Sequence, residues 1–137
     1  MSDKIDRYPN DVKDWWEKTQ DDIKWAEYDF SGGFHTQVCF ISQQIAEKAL
    51  KTYLLSKNQI VRKVHKLPVL LKQCARLDIS FSELLDHAKK LDRYYLATRY
   101  LSGFGPSDGY SQKEAEETLS LAKEVVGFVE KKMSLRK

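Results

Sequence analysis

A polar cluster interrupts the most apolar stretch of the sequence, which runs from residue 34 to residue 55 and reads FHTQVCFISQQIAEKALKTYLL. The apolar residues recur at helical spacing on two sides, which predicts a central helix covered by several neighbours. Gln44, Lys48 and Lys51 are spaced at i, i+4 and i+7, so their side chains share one face. Lys48 and Lys51 could bind phosphate there. With Glu47 beside them, they could equally form an ordinary solvated face.

A second group of candidate binding residues belongs to later parts of the chain. Arg93 and Arg99 are six residues apart, and a guanidinium suits the planar recognition of phosphate. Tyr100 could stack on a base at the edge of the same site, although tyrosine in a bundle is more often packing. His65 could transfer a proton or bind a ligand, or it could simply hydrogen-bond the backbone near the helix start at Pro68. The candidate binding residues are therefore Lys48, Lys51, His65, Arg93, Arg99 and Tyr100.

Two further helical patterns flank the central helix. The first begins after Pro9, where Asn10 or Asp11 can cap it, and ends at Ser31-Gly32-Gly33. The glycine pair permits a backbone reversal, so this helix is expected to lie antiparallel to the central one. After the central helix, a polar and basic connection leads to a short helix that begins at Pro68 and ends between residues 75 and 77.

Two serine–glutamate capping boxes mark the remaining helix starts. Ser80-Phe81-Ser82-Glu83 predicts a helix that stops shortly after Arg99, and Ser111-Gln112-Lys113-Glu114 opens the last helix. The intervening residues 102–110, SGFGPSDGY, have the composition of a loop. This loop could gate a polar groove lined by Arg93 and Arg99, to which Lys48 and Lys51 could also contribute.

The patterns together predict an all-α fold, an up-and-down helical bundle of four long helices plus one short helix. No segment alternates with period two for long enough to form a strand. A content of 42% hydrophobic residues is ample for one core, so residues 1–137 are expected to form a single domain. Trp15 and Trp25 fall off the main stripe of the first helix and should be partly exposed, which favours a homodimer.

Charge and cysteine content restrict the class of protein. There are 23 Lys and Arg residues against 20 Asp and Glu, and the net charge of +3 is too small for nucleic-acid binding through overall electrostatics. Any basic site must therefore be local. Cys39 and Cys74 lack metal-binding spacing, and the sequence shows no export leader, so a reduced, cytoplasmic protein is expected. No apolar run reaches the roughly 20 residues of a membrane helix, so no membrane association is predicted.

Four fragments, taken in order, resemble the HEPN family. They are QQIAEKALK at 43–51, HKL at 65–67, YLATRY at 95–100 and YSQKEA at 110–115. The resemblance extends over nearly the whole chain and implies a single HEPN-like helical domain. It also implies a bundle that commonly dimerises and binds nucleotide or RNA. Such proteins often act with a minimal nucleotidyltransferase in a two-component, toxin–antitoxin-like system.

Many members of the HEPN family are ribonucleases, and their signature is an arginine followed after four to six residues by a histidine. This signature is absent here, because no histidine follows Arg99 and because His35, His65 and His87 have no arginine in the required window. Phosphate loops and metal-binding motifs are also missing, so no catalytic residue, metal or cofactor is predicted. The sequence favours a non-catalytic nucleotide- or RNA-binding module that is a partner of a nucleotidyltransferase. The alternatives are a divergent ribonuclease that uses Arg99 with His65, and a purely structural dimerisation adaptor.

Overall fold

The protein is an all-helical bundle. The computed structural model describes residues 4–61, 63–99 and 109–135, without the side chains of 96–99. Its helices are α1 (Asn10–Ser31), α2 (His35–Ser56), α3 (Leu67–Leu77), α4 (Leu85–Arg99) and α5 (Gln112–Lys132), with short 3-10 helices at Lys4–Arg7 and Ile79–Leu84. These described ranges contain no strand. The prediction of an all-α fold with four long helices and one short helix is confirmed.

α1 and α2 form an antiparallel hairpin, as the glycine pair predicted. Gly33 has a positive φ of 83°, a conformation that glycine adopts without strain, and it allows the chain to reverse. Three contacts follow the hairpin from its turn to its open end: Phe30 with His35 (ring centroids 5.7 Å apart), Asp22 with Lys48 (2.6 Å), and Trp15 with Lys51 (5.9 Å from Nζ to the ring centroid).

α2 is the central helix and packs against α1, α3, α4 and α5. Fourteen of its 22 residues are buried, because its apolar residues occupy more than one side and each side meets a different neighbour. The buried residues of α2 include five polar ones: Ser42, Gln43, Glu47, Lys51 and Thr52. The central helix is thus confirmed, and it carries polar side chains into the core.

Two predicted helix caps are wrong, and one is confirmed. α1 begins at Asn10 with Pro9 in the N-cap position, so neither Asn10 nor Asp11 is the cap residue, although Asp11 Oδ1 accepts from the Val12 amide at 2.9 Å inside the first turn. Residues 80–83 belong to the 3-10 helix before α4, because Asp78 Oδ1 accepts hydrogen bonds from the Ser80 amide (3.0 Å) and from the Ser80 hydroxyl (2.6 Å). The Ser80 hydroxyl is therefore a donor to Asp78, and α4 begins only at Leu85.

The capping box at the start of α5 is present. The Ser111 hydroxyl accepts from the Glu114 amide at 3.1 Å, and the Glu114 carboxylate accepts from the Ser111 amide at 3.1 Å. These reciprocal bonds satisfy backbone donors that a helix start would otherwise leave unpaired. Across the described ranges, none of the helices combines the length and apolar character that crossing a membrane requires.

Candidate functional site

The candidate site is built on three polar residues that share one buried side of α2. Gln43, Glu47 and Lys51 are spaced at i, i+4 and i+8, and their exposed fractions are 0%, 9% and 4%. Charges removed from water must be paired and hydrogen-bonded, or they strongly destabilise the fold. The structure meets this requirement with a residue from the connection between α2 and α3, His65.

The Glu47 carboxylate contacts the other three members of this cluster, Gln43, Lys51 and His65. Its Oε2 accepts from Lys51 Nζ at 3.0 Å and lies 3.0 Å from His65 Nδ1, while its Oε1 lies 3.5 Å from Gln43 Nε2. Gln43 Nε2 also donates to the His65 carbonyl at 3.1 Å. His65 is therefore attached to α2 through both its ring and its backbone.

His65 is also supported from the side of α4. Its ring stacks on Tyr95 with centroids 5.3 Å apart and planes 13° apart. Two residues later, the Leu67 amide at the start of α3 donates to Asp92 Oδ1 at 2.9 Å. The segment from His65 to Leu67 is thus held between α2 and α4, while 45% of the His65 side chain remains exposed.

A groove of about 510 Å³ opens beside Tyr95. This volume lies within the range of roughly 300–1,000 Å³ found for small-molecule sites. The lining residues are Lys66, Pro68, Lys89, Asp92, Arg93 and Tyr95. Lys66, Lys89 and Arg93 are exposed and form no ion pair with any residue whose side chain is described. Among the described lining residues there are therefore three cations and one carboxylate, and that carboxylate is hydrogen-bonded to the start of α3.

The predicted site residues are only partly brought together. Arg93 lines the groove, and His65 reaches its edge through Tyr95. Lys51 lies behind His65 on the Glu47 carboxylate. Lys48 instead forms an ion pair of 2.6 Å with Asp22 of α1.

Two other predicted site residues, Arg99 and Tyr100, are not among the side chains that the structure describes. The Arg99 side chain and Tyr100 lie beyond the described part of the chain, as does most of the predicted gating loop at 102–110.

Sequence reasoning missed Lys66 and Lys89 and gave Glu47 no role in the site. Lys89 stands four residues before Arg93, which places both on one face of α4. That spacing was available as a signal. The role of Glu47 had a weaker signal, an acidic residue within an apolar helix, and its partner could not be inferred because His65 lies 18 residues further along the chain.

The tyrosine and cysteine side chains in the core do not have the lowered pKa values of reactive groups. Burial, followed by the nearby Glu114 carboxylate, raises the pKa of Tyr94 to about 12. Burial also raises the pKa of Cys39 to about 11 and that of Cys74 to about 12, so both thiols stay protonated near neutral pH. In the ranges that the structure describes, no group of three His, Cys, Asp or Glu residues could hold a metal ion.

Comparison with known families identifies the class of protein. The HEPN domain matches residues 12–132, which is most of the sequence. The chain therefore belongs to the HEPN domain family, as the four sequence fragments indicated. Among curated proteins, none matches the sequence at a significant level.

Solved structures agree with this assignment. The protein TT1696 from Thermus thermophilus is 35% identical, with 90% of this chain and 99% of that one covered and a TM-score of 0.81. The archaeal HEPN homologue ST0689 is 30% identical, covers 89% and 97% of the two chains, and has a TM-score of 0.72. A HEPN domain protein from Thermotoga maritima, TM0613, is 31% identical, with coverage of 88% and 97% and a TM-score of 0.72.

Proposed function

We propose that this protein is a nucleotide- or RNA-binding HEPN module that binds phosphate in the groove between α3 and α4. The observation that carries the proposal is the convergence of Lys66, Lys89 and Arg93 around Tyr95, without ion pairs to described residues. Cations that no described side chain neutralises are available to a phosphate. Arg99 and Tyr100 remain proposed site residues on the sequence evidence alone.

The adjacent lysines 89 and 90 of α4 provide a matched test. Both are exposed, but only Lys89 lines the groove. We expect Lys89→Ala to weaken binding of ATP or single-stranded RNA several-fold, with a smaller salt dependence, because one phosphate contact is lost. Lys90→Ala removes the same charge from the same helix and should have little effect. Equal losses in the two variants would show that binding depends on overall charge and not on the groove.

We infer that the module acts by binding and not by cleavage. The ribonuclease signature is absent from the sequence, so purified protein should leave single-stranded RNA intact. The specific observation in favour of the enzyme alternative is the Glu47–His65 pair, since a carboxylate that orients an imidazole is a recurring arrangement in acid–base catalysis. RNA cleavage that disappears in His65→Ala would overturn the non-catalytic proposal in favour of that alternative.

We further propose that the protein forms a homodimer through the exposed side of α1. Trp25 and Tyr28 are 55% and 78% exposed, and their spacing of i, i+3 places them on one face. Exposed aromatic patches mark association surfaces. Light scattering at micromolar concentration should give twice the monomer mass, and Trp25→Lys should reduce it to the monomer mass. A dimer that binds no phosphate ligand would instead favour the structural adaptor.

The nucleotidyltransferase partner is proposed from the family resemblance. A small nucleotidyltransferase gene next to this one, and co-purification of the two products, would support it.

We also propose a reducing, cytoplasmic location, because Cys39 and Cys74 are buried free thiols. Recovery of the protein from the periplasmic or extracellular fraction would contradict that location.

A further inference from the structure

His65 is held so that one edge of its ring is left for a ligand. Nδ1 lies 3.0 Å from Glu47 Oε2, and the ring is stacked on Tyr95. Nε2 forms no hydrogen bond with any residue in the described part of the chain. Because 45% of the side chain is exposed and Nδ1 is engaged with Glu47, Nε2 is the ring nitrogen that remains for a ligand.

The buried carboxylate determines which ring nitrogen carries the proton. Lys51 Nζ donates to the same Glu47 oxygen at 3.0 Å, and an ammonium has no acceptor, so we assign Glu47 as an ionised acceptor. Nδ1 of His65 must then be the donor. In a neutral imidazole with Nδ1 protonated, Nε2 carries a lone pair and no hydrogen.

From this geometry we infer that His65 Nε2 accepts a hydrogen bond from a ribose hydroxyl of the ligand. The inference rests on the proposed function, in which the groove cations bind the phosphate of the same ligand. Lys66 is the next residue after His65, and Tyr95 belongs to both the stack and the groove, so the two contacts are adjacent. A lone pair repels phosphate oxygens but accepts an O–H donor. The site would therefore select ribose phosphates over deoxyribose phosphates, in a free nucleotide or in RNA.

Matched ligands separate the hydroxyl from the sugar conformation. We would compare RNA, 2′-fluoro RNA and DNA of one sequence at about pH 8.5, above the usual titration range of imidazole. The 2′-fluoro sugar keeps a ribose-like conformation but has no O–H donor. We expect RNA to bind about three- to tenfold more tightly than either analogue, the range for one hydrogen bond. ATP compared with 2′-deoxy-ATP and 3′-deoxy-ATP provides the free-nucleotide arm and shows which hydroxyl is read.

Histidine variants test whether His65 is responsible. His65→Phe keeps an aromatic ring for the stack on Tyr95 but removes both nitrogens, and it should abolish the preference for ribose. His87→Phe is the control, since His87 also pairs with a glutamate but lines a different groove. It should keep the preference. Melting temperatures establish that both variants fold.

A measurement on the wild-type protein without ligand keeps the inference falsifiable if His65→Phe fails to fold. Long-range ¹⁵N–¹H correlation spectra identify which nitrogen of His65 is protonated, and we expect Nδ1. Protonation at Nε2 in the neutral form would overturn the inference. Equal binding of all sugars, or 2′-fluoro RNA binding as tightly as RNA while ATP and both of its deoxy analogues also bind equally, would overturn it while leaving the groove proposal intact. If no ligand binds, both the proposed function and the inference fail.

Discussion

Two histidines in the described part of the chain pair with a glutamate at 3.0 Å, and the two pairs are built in opposite ways. In the first pair the Glu47 side chain is buried, with 12% of its surface exposed, and 45% of the His65 side chain is accessible. In the second pair the Glu124 side chain is 59% exposed, and His87 is the more buried partner at 21%. The nitrogens also differ, because His65 uses Nδ1 whereas His87 uses Nε2.

This difference shows what each pair can do. A buried carboxylate with several partners cannot reorient easily, so it fixes the ring that it holds and leaves the far edge of that ring toward solvent. An exposed carboxylate is screened by water and moves freely, and such pairs contribute little. We therefore expect the pair of Glu47 and His65 to be part of a ligand site, and the pair of His87 and Glu124 to be surface packing.

The largest expected effect comes from removing the buried carboxylate. Glu47→Ala leaves Lys51 charged and almost fully buried without its partner, which should lower the free energy of unfolding by about 3 kcal/mol. Glu124→Ala should change it by no more than about 0.5 kcal/mol, as for other exposed pairs. Urea unfolding monitored by circular dichroism measures both values.

A compensating variant identifies the cause of that loss. In Glu47→Leu combined with Lys51→Met, neither charge is buried, and most of the lost stability should return. If the double variant is as unstable as Glu47→Ala, the loss comes from packing or from His65 and not from the unpaired lysine. The contrast between the two histidine pairs would then need another explanation.

A smaller effect is expected from the residue that holds His65 from the other side. Asp92 accepts from the Leu67 amide at the start of α3, and no comparable support is present near His87 among the described contacts. Asp92→Ala should cost about 1 kcal/mol, the usual value for one lost hydrogen bond. Thermal unfolding gives this value.

Asp92→Asn separates the hydrogen bond from the charge. The side-chain oxygen of asparagine can still accept from the Leu67 amide, so stability should be nearly unchanged. The groove, however, would lose the carboxylate of Asp92, and binding of ATP or RNA should become tighter because the three cations are no longer partly neutralised. Unchanged affinity in Asp92→Asn would indicate that the ligand binds elsewhere.

The helices were predictable from the sequence because local chemistry determines most of their ends. The glycine pair at 32–33, Pro68 and the Ser111 box each act within a few residues, and all three were read correctly. The box at Ser80 failed because its serine has a better acceptor in Asp78, two residues earlier. Competing hydrogen bonds of this kind are decided by geometry that spacing alone does not reveal.

The site was less predictable because its contacts join distant parts of the chain. Lys48 and Lys51 share a helical face by spacing, yet Lys48 pairs with Asp22 of α1 and Lys51 lies under His65. Neither partner follows from helical periodicity. Arg93 was a sequence candidate because of its residue type and its spacing to Arg99 on the same helix, whereas Lys66 joins the groove only through the packing of α3 against α4.

The smallest expected effect concerns Asp78, a surface carboxylate that, unlike Glu124, has several fixed partners. Hydrogen bonds from Ser80, together with Lys132 at 2.9 Å, lower the pKa of Asp78 to about 2. The unfolded chain has a pKa near 4 for aspartate, so the ionised form is favoured by folding. The ionised Asp78 carboxylate contributes fully to the free energy of unfolding above about pH 4. This contribution is lost as the pH falls toward 2, where the folded protein takes up the proton. Asp78→Asn can still accept from Ser80 but carries no charge, so its unfolding midpoint in urea should change less between pH 4 and 2. If the urea midpoints of wild type and Asp78→Asn instead fall by the same amount between pH 4 and 2, the charge of Asp78 contributes as little to stability as we expect for Glu124.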